Sequence, residues 1–93
     1  MNHYESKCFL CNGNSTESET DHGHRFFVTC SNENCGNYEI VQDIAETRLS
    51  EDMKTSLQEI VNKYTSPMFK PCDIHRNTIG EVAITYGQAI KVQ

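Results

Sequence analysis

The sequence has few of the residues that build a large core. It contains no tryptophan, only two prolines, and 37% apolar residues among 93, a figure that includes five cysteines. A chain of this length lies near the lower limit for a hydrophobic core that is stable unaided, and disulfides or a bound metal often stabilise such domains. The shortage of core residues therefore directs attention to the cysteines.

Long apolar runs are also missing. No segment reaches the roughly 20 apolar residues of a membrane-spanning helix, and residues 1–7 lack the apolar stretch of a secretory signal. We therefore expect no membrane association and a cytoplasmic, reducing location. In that compartment close cysteine pairs bind metal more often than they form disulfides, and an odd cysteine count is not typical of a disulfide framework.

An excess of basic residues is missing as well. Eight Lys and Arg stand against thirteen Asp and Glu, which gives a net charge of −5, and the basic residues are scattered singly. Proteins that bind nucleic acid phosphates usually carry a basic patch. This composition disfavours nucleic acid as a partner, and it indicates either an ordinary solvated surface or a protein partner whose surface is basic.

What is present is a cysteine pattern with metal-ligand spacing. Cys8 and Cys11 are separated by two residues, and Cys30 and Cys35 by four, with eighteen residues between the pairs. Short pairs place two sulfurs on one ion through a tight turn, and two such turns complete a tetrahedral shell. Turn-forming residues, Asn12-Gly13 and Gly36-Asn37, follow both pairs.

Four thiolates fill a tetrahedral site and leave no open position for a substrate, so the pattern predicts a structural Zn²⁺ at Cys8, Cys11, Cys30 and Cys35. Iron in a four-sulfur site is the rival metal, and redox-active or coincidental thiols are the alternative to metal binding. With zinc bound, four thiolates and one divalent cation would bring the chain to about −7.

The first 45 residues resemble the zinc ribbons common in prokaryotic proteins. The resemblance rests on the first cysteine pair, a polar loop, a strand that ends in cysteine, and the segment Cys35-Gly36-Asn37-Tyr38-Glu39-Ile40. Such ribbons generally have two residues within the second pair, whereas here Ser31 to Asn34 make four, and the glycine after the first pair is displaced to Gly13. The resemblance implies zinc and a ribbon but no specific activity.

The residues around the cysteines predict a small ribbon. Residues 12–24 hold no large apolar side chain and are expected to form a polar loop. Residues 25–30 and 38–41, rich in aromatic and β-branched side chains, are expected to pair as a hairpin.

A helical region is predicted next. Residues 43–49 are expected to form a short turn of helix with Ile44 and Leu49 inward. The main helix is predicted over residues 51–64, with Ser50 as its N-cap. It carries one apolar stripe, formed by Met53, Leu57, Ile60, Val61 and Tyr64.

The remaining chain is expected to be a connector over residues 65–78 and β structure over 79–93. Alternating apolar residues from Val82 to Val92 predict either one strand that continues through Gly87 or a hairpin that turns there, and the pattern leaves both open. The predicted fold class is α+β, with a small N-terminal zinc-ribbon hairpin, one main amphipathic helix and a C-terminal strand or hairpin. We expect one domain, residues 1–93, made of a ribbon (1–45), a helical segment (46–66) and the C-terminal β segment (79–93).

Two further groups of residues have functional alternatives. Cys72 and His75 have ligand spacing and, with His22 or His24, suggest a second metal site, but a buried thiol and polar loop histidines are the favoured interpretation. The aromatic side chains around the ribbon suggest base stacking, but few cations accompany them. These aromatics are Phe9, Phe26, Phe27 and Tyr38.

No nucleophile, base and orienting residue stand together, so we expect no enzymatic activity. The favoured function is a zinc-stabilised protein-binding module whose acidic residues after the ribbon contact a basic surface. By analogy of size and charge, it resembles small inhibitors of nucleic-acid-handling complexes, such as anti-CRISPR or anti-restriction proteins. A nucleic-acid-binding ribbon and a structural or adaptor subunit are the alternatives. The acidic residues are Glu39, Asp43, Glu46, Glu51 and Asp52.

Overall fold

A computed structural model describes residues 3–20 and 24–90, and its strands form one mixed sheet. In chain order the elements are β1 (His3–Lys7), β2 (Asn14–Thr20), β3 (Arg25–Cys30), β4 (Asn37–Val41), α1 (Gln42–Ala45), α2 (Glu51–Tyr64), β5 (Cys72–Arg76) and β6 (Val82–Thr85). The six strands lie in sequence order. Neighbouring strands are antiparallel except β4 and β5, which are parallel and are connected through the two helices.

One face of the sheet forms the core. Alternate residues of β3, β4 and β5 point to this face, because side chains alternate along a strand, and α1 and α2 cover it with Ile44, Leu57 and Val61. The fully buried strand residues are Val28, Tyr38, Ile40, Cys72 and Ile74. No helix packs over the other face within the described residues, and we call it the open face.

The predicted fold class is wrong in its central feature. The hairpin of β3 and β4 and the main helix are present, but they belong to a six-stranded sheet and not to a small ribbon followed by separate elements. The expected polar loop over residues 12–24 contains β2, and the expected connector over 65–78 contains β5. Residues 21–23 of the expected loop lie outside the described part of the chain.

Strand β2 was missed because it is polar throughout. It lies between β1 and β3, so its backbone is hydrogen-bonded on both sides. Its buried side chains are Ser15 and Ser18, and the Ser15 hydroxyl donates to the carbonyl of Ser6 at 3.3 Å. Backbone pairing on both sides holds this segment in the sheet, and its polar side chains show no apolar alternation that a sequence pattern could detect.

The C-terminal alternatives are settled by β5. Strand β6 pairs with β5 in an antiparallel hairpin, so the β segment neither turns on itself at Gly87 nor runs on as one strand. Gly87 has a φ of 72° and interrupts the strand, and beyond it Ala89 bridges Phe69 in the same antiparallel register as β5 and β6. Val92, the last residue of the predicted alternation, lies outside the described residues.

The main helix is confirmed at its predicted residues. Helix α2 begins after Ser50, whose hydroxyl accepts from the amide of Met53 at 3.2 Å, and ends at Tyr64. Leu57 and Val61 are buried, whereas Met53, at the start of the predicted stripe, is 38% exposed. Within residues 3–20 and 24–90, neither helix has the length and apolar character needed to span a membrane.

Candidate metal centre

Two turns at one end of the sheet bring the four predicted ligands together. The turn between β1 and β2 carries Cys8 and Cys11, and the turn from β3 into β4 carries Cys30 and Cys35. In an antiparallel arrangement of four sequential strands, the first and third turns lie at the same end. The strand β2, which the sequence did not predict, is therefore what places the two cysteine pairs side by side.

The spacing of the sulfur atoms suits a tetrahedral ion. All four Sγ atoms lie within 4.8 Å of one another, with 3.8 Å between Cys8 and Cys35 and 3.4 Å between Cys11 and Cys30. A tetrahedral Zn²⁺ with Zn–S bonds of ~2.3 Å places its sulfurs about 3.8 Å apart. These separations are too long for disulfides, whose S–S bond is about 2.05 Å, and all five cysteines are free thiols.

The first turn is closed by short backbone hydrogen bonds. The amide of Cys8 donates to Gly13 at 2.8 Å and that of Asn12 to Cys8 at 3.0 Å. Asn12 has a φ of 60°, a left-handed conformation that asparagine tolerates better than most residues. The reversal aims the amides of Leu10 and Gly13 at the sulfurs of Cys8 and Cys11, at 3.5 and 3.4 Å. The Leu10 amide so placed favours the thiolate form of Cys8.

The second turn is held by helix α2. Asn62 donates from Nδ2 to the carbonyls of Glu33 and Cys35 at 2.9 and 2.7 Å, and Gln58 donates from Nε2 to that of Asn34 at 3.0 Å. The two additional residues of the long second cysteine pair thus supply carbonyls on which the helix docks. The four-residue spacing between Cys30 and Cys35 therefore serves the contact between the second cysteine turn and α2.

Tyr38 connects the core to the site. Its side chain is fully buried, and its hydroxyl lies 3.1 Å from Cys8 Sγ. The amide of Phe9 donates to the same hydroxyl oxygen at 3.2 Å. When Cys8 is a thiolate, the phenol is the only donor of the pair, so Tyr38 donates its proton to the sulfur. Burial is the larger cause and the charge of the adjacent Cys8 the smaller one of a raised pKa at Tyr38, which keeps the phenol a neutral donor.

Cys8, Cys30 and Cys35 would not ionise together without a cation. The hydrogen bond with Cys35, assisted by Tyr38, lowers the pKa of Cys8 to about 4 against the effect of burial. The same hydrogen bond and burial raise the pKa of Cys35, and burial raises that of Cys30 to about 11. One thiolate thus forms readily and its neighbours retain their protons. A divalent cation supplies the charge that lets the remaining thiols ionise.

The second metal site is not formed by the described residues. Cys72 is fully buried on the core face, whereas His75, three residues along the same strand, lies on the open face and its Nε2 is 3.0 Å from Thr85 Oγ1. His24 is exposed, and His22 lies outside the described residues. In residues 3–20 and 24–90, the four-cysteine cluster is the one group with metal-ligand spacing.

The aromatic residues do not form a continuous stacking surface. Phe9 and Phe26 stack on each other with ring centroids 6.2 Å apart, and Tyr38 is buried. Only Phe27 of the four lies on the open face, as the alternation of β3 requires. The neighbouring cation, Arg25, forms an ion pair with Asp73.

Sequence reasoning missed the roles of Tyr38, Gln58 and Asn62. Tyr38 was identifiable as a core-facing tyrosine whose hydroxyl needs a buried partner. Nothing in the sequence signals the two helix amides, because their partners are backbone carbonyls. Comparison with protein-family models, with curated proteins and with solved structures finds no significant match to this chain.

Proposed function

We propose that this chain is a non-catalytic, zinc-stabilised module that binds a protein partner. The observation that carries the proposal is the convergence of four cysteine sulfurs within 4.8 Å, at a site where Cys8 and Cys35 are each only 3% exposed. A tetrahedral ion held by four thiolates has no position left for a substrate. The metal would hold the two turns together, and recognition would fall to the surface around it.

Zinc is the metal we assign, with iron as the rival for a four-sulfur site. Elemental analysis of natively purified protein and its visible spectrum distinguish the two, since a four-thiolate iron site is coloured and a zinc site is not. Cys35→Ala should abolish stoichiometric metal binding. Cys72→Ala, which removes a buried thiol outside the cluster, should retain it. Equal metal loss in both variants would contradict the assignment.

Acidic side chains on the helices support a basic protein partner. Glu46 on the turn after α1, and Glu51 and Asp52 in the first turn of α2, are exposed. Asp43 is already paired with Arg76, and Glu39 lies on the open face of β4, away from the helices, so three residues of the predicted acidic surface remain. Of these three, Glu51 also lies 3.7 Å from Lys54, with its side chain 90% exposed. On a nucleic-acid-handling complex, such a surface could occupy a groove that otherwise binds phosphates, which is how an inhibitor of anti-CRISPR or anti-restriction type would act.

Affinity capture from host lysate at low salt tests the partner proposal. The wild type should recover a specific basic protein, and the triple variant Glu46→Lys, Glu51→Lys, Asp52→Lys should lose it. Glu19→Lys, at an exposed position of β2, is the control and should retain it. A gel-shift titration with single- and double-stranded probes runs in parallel. Salt-sensitive binding there, with no protein captured, would favour the nucleic-acid-binding alternative.

A further inference from the structure

The two edges of the sheet differ in how they are protected. The first edge, β1, includes the charged residues Glu5 and Lys7. The last edge, β6, has the sequence VAIT, with no charge, no proline and no bulge in its pairing with β5. Monomeric proteins usually protect an edge strand with one of these devices, because its unpaired amides and carbonyls accept a further strand. Edge β6 has no charge, proline or bulge, and its four-residue length is the one protection it retains.

Exposed apolar side chains gather around this edge. The described residues include five exposed large apolar side chains, and four of them lie between residues 68 and 90. Two flank β6 directly: Ile79 on the preceding turn, 76% exposed, and Tyr86 immediately after the strand, 47% exposed. The edge is therefore an uncharged strand with an apolar side chain at each end.

The turn that presents Ile79 is well ordered by hydrogen bonds. The Asn77 side-chain oxygen accepts from the amides of Ile79 and Glu81 at 3.1 and 2.9 Å. Arg76 donates to the carbonyl of Gly80 at 2.8 Å. An isoleucine fixed in this way loses little conformational freedom when it is covered.

This arrangement is self-complementary. If two β6 strands pair antiparallel about a two-fold axis, Ile79 of one copy comes beside Tyr86 of the other, at both ends of the new ladder. An isologous contact requires this kind of reciprocity. Glu81 is the charged residue next to the strand, and in this register it faces Ile84, so its two copies would lie about 10 Å apart along the ladder, at ~3.3 Å per residue. That distance exceeds the Debye length of ~8 Å at physiological salt, so the acidic character of the chain does not prevent pairing.

We propose that two copies of this chain associate through β6 and join their sheets into one sheet of twelve strands. A four-residue edge with two apolar contacts is small for an interface, so the dimer dissociates at about 10–100 µM. The proposal does not depend on the identity of the metal or on the partner of the acidic surface.

Sedimentation equilibrium on the metal-loaded protein, from about 1 µM to about 1 mM, tests the association. The wild type should pass from monomer to dimer. Ala83→Lys, which brings two ammonium groups close to the two-fold axis, should weaken association at least tenfold, as like charges opposed across strands repel. Thr16→Lys adds the same charge to an exposed position of the internal strand β2 and should dimerise like the wild type.

Amide hydrogen exchange of the wild type tests the same interface without relying on the Ala83→Lys variant. In the wild type, amides of Val82–Thr85 should exchange more slowly at high than at low protein concentration, and those of β1 should not change. A wild type that stays monomeric over the whole concentration range overturns the proposal. A strand of another protein would then be the remaining candidate to pair with β6. A dimer that survives in a folded Ala83→Lys, or that protects β1, also overturns the proposal.

Discussion

Tyr38 belongs at the same time to the hydrophobic core and to the metal centre. Its ring is packed among the core residues of the sheet, while its hydroxyl accepts from Phe9 and donates to Cys8. A hydrogen bond to a metal-bound thiolate stabilises its negative charge and fixes its orientation, and losing such an outer partner typically weakens metal binding 10–100-fold. The behaviour of this one residue therefore reports on the state of the site.

Tyr38→Phe should release zinc about tenfold faster than the wild type. The variant keeps the ring in the core and removes only the donor to Cys8. Competition with a chromogenic chelator measures the release. Tyr64→Phe is the matched control, because its ring packs against Phe69 and Tyr86, and its release rate should not change. Equal release from Tyr38→Phe and wild type would contradict the assigned hydrogen bond.

Glu17 is a partly buried carboxylate on the core face of β2. One of its oxygens is buried without a hydrogen-bond partner. Burial raises its pKa above the ordinary 4.5, opposed by a hydrogen bond with Ser6 and assisted by the charge of Glu19. When the pKa of an acid is higher in the folded than in the unfolded state, the protein loses stability as the pH rises through the folded-state pKa.

Glu17→Gln should therefore raise the free energy of unfolding at pH 7 by about 1 kcal/mol, since it removes a poorly solvated charge. The gain over the wild type should shrink as the pH falls toward 4.5, because the raised pKa lets the folded wild-type side chain take up its proton above that value. Urea denaturation at several pH values measures both. Glu5→Gln, at an exposed position of β1, removes the same charge and should show neither effect. A gain for Glu17→Gln that grows on acidification would refute the account.

At the scale of elements, the sequence predicted the strands and the helix that carry a clear apolar pattern. The strands β3 and β4 are rich in aromatic and β-branched residues, and α2 has both a helical stripe and a serine cap. Strand β2 is built from polar residues, and it is held in the sheet by backbone pairing with β1 and β3, which apolar patterning does not detect. Strand β5 offers only Cys72 and Ile74 as an inward pattern, too short to distinguish from a connector.

The candidate site was predictable for a different reason. Cysteine spacing is a local property, so the four ligands could be proposed without knowing the sheet. Their supporting contacts depend on how α2 returns over the ribbon, and local pattern carries no information about that. The close approach of Gly36 to Thr65 is an example: a Cβ at Gly36 would lie 1.9 Å from Thr65 Oγ1 and 2.7 Å from its Cβ.

Gly36→Ala should lower the free energy of unfolding by about 1–3 kcal/mol, because the methyl group would push the second cysteine turn away from α2. Thr65→Gly alone should also destabilise, since Thr65 Oγ1 accepts from Asn37 and donates to Val61. In the double variant the alanine should cost much less than in the wild type. A double-mutant cycle by urea denaturation checks this coupling. Additive effects would mean that the two residues do not meet.

At the scale of the whole molecule, the four-cysteine site and the core are not separate. Cys8, Cys30 and Cys35 belong to the same buried cluster as the strand residues of the sheet. Structural zinc binding contributes roughly 10–16 kcal/mol near pH 7, as much as the whole stability of many domains, about 5–15 kcal/mol. The fold should therefore depend on the ion.

A strong chelator should unfold the protein under otherwise native conditions, with coincident loss of the far-UV and near-UV circular dichroism signals. Excess Zn²⁺ added under reducing conditions should restore both, because the thiols are free to bind again. The control is Mg²⁺, which prefers oxygen ligands and should restore neither. Full retention of the spectra after complete metal removal would show that the core is sufficient without the site.

The most direct test of the four-thiolate zinc centre is the metal content of protein purified from its native host, measured by plasma emission against the chain concentration. We predict one zinc per chain, bound by Cys8, Cys11, Cys30 and Cys35. Less than one zinc per chain, or iron in its place, would contradict the zinc assignment.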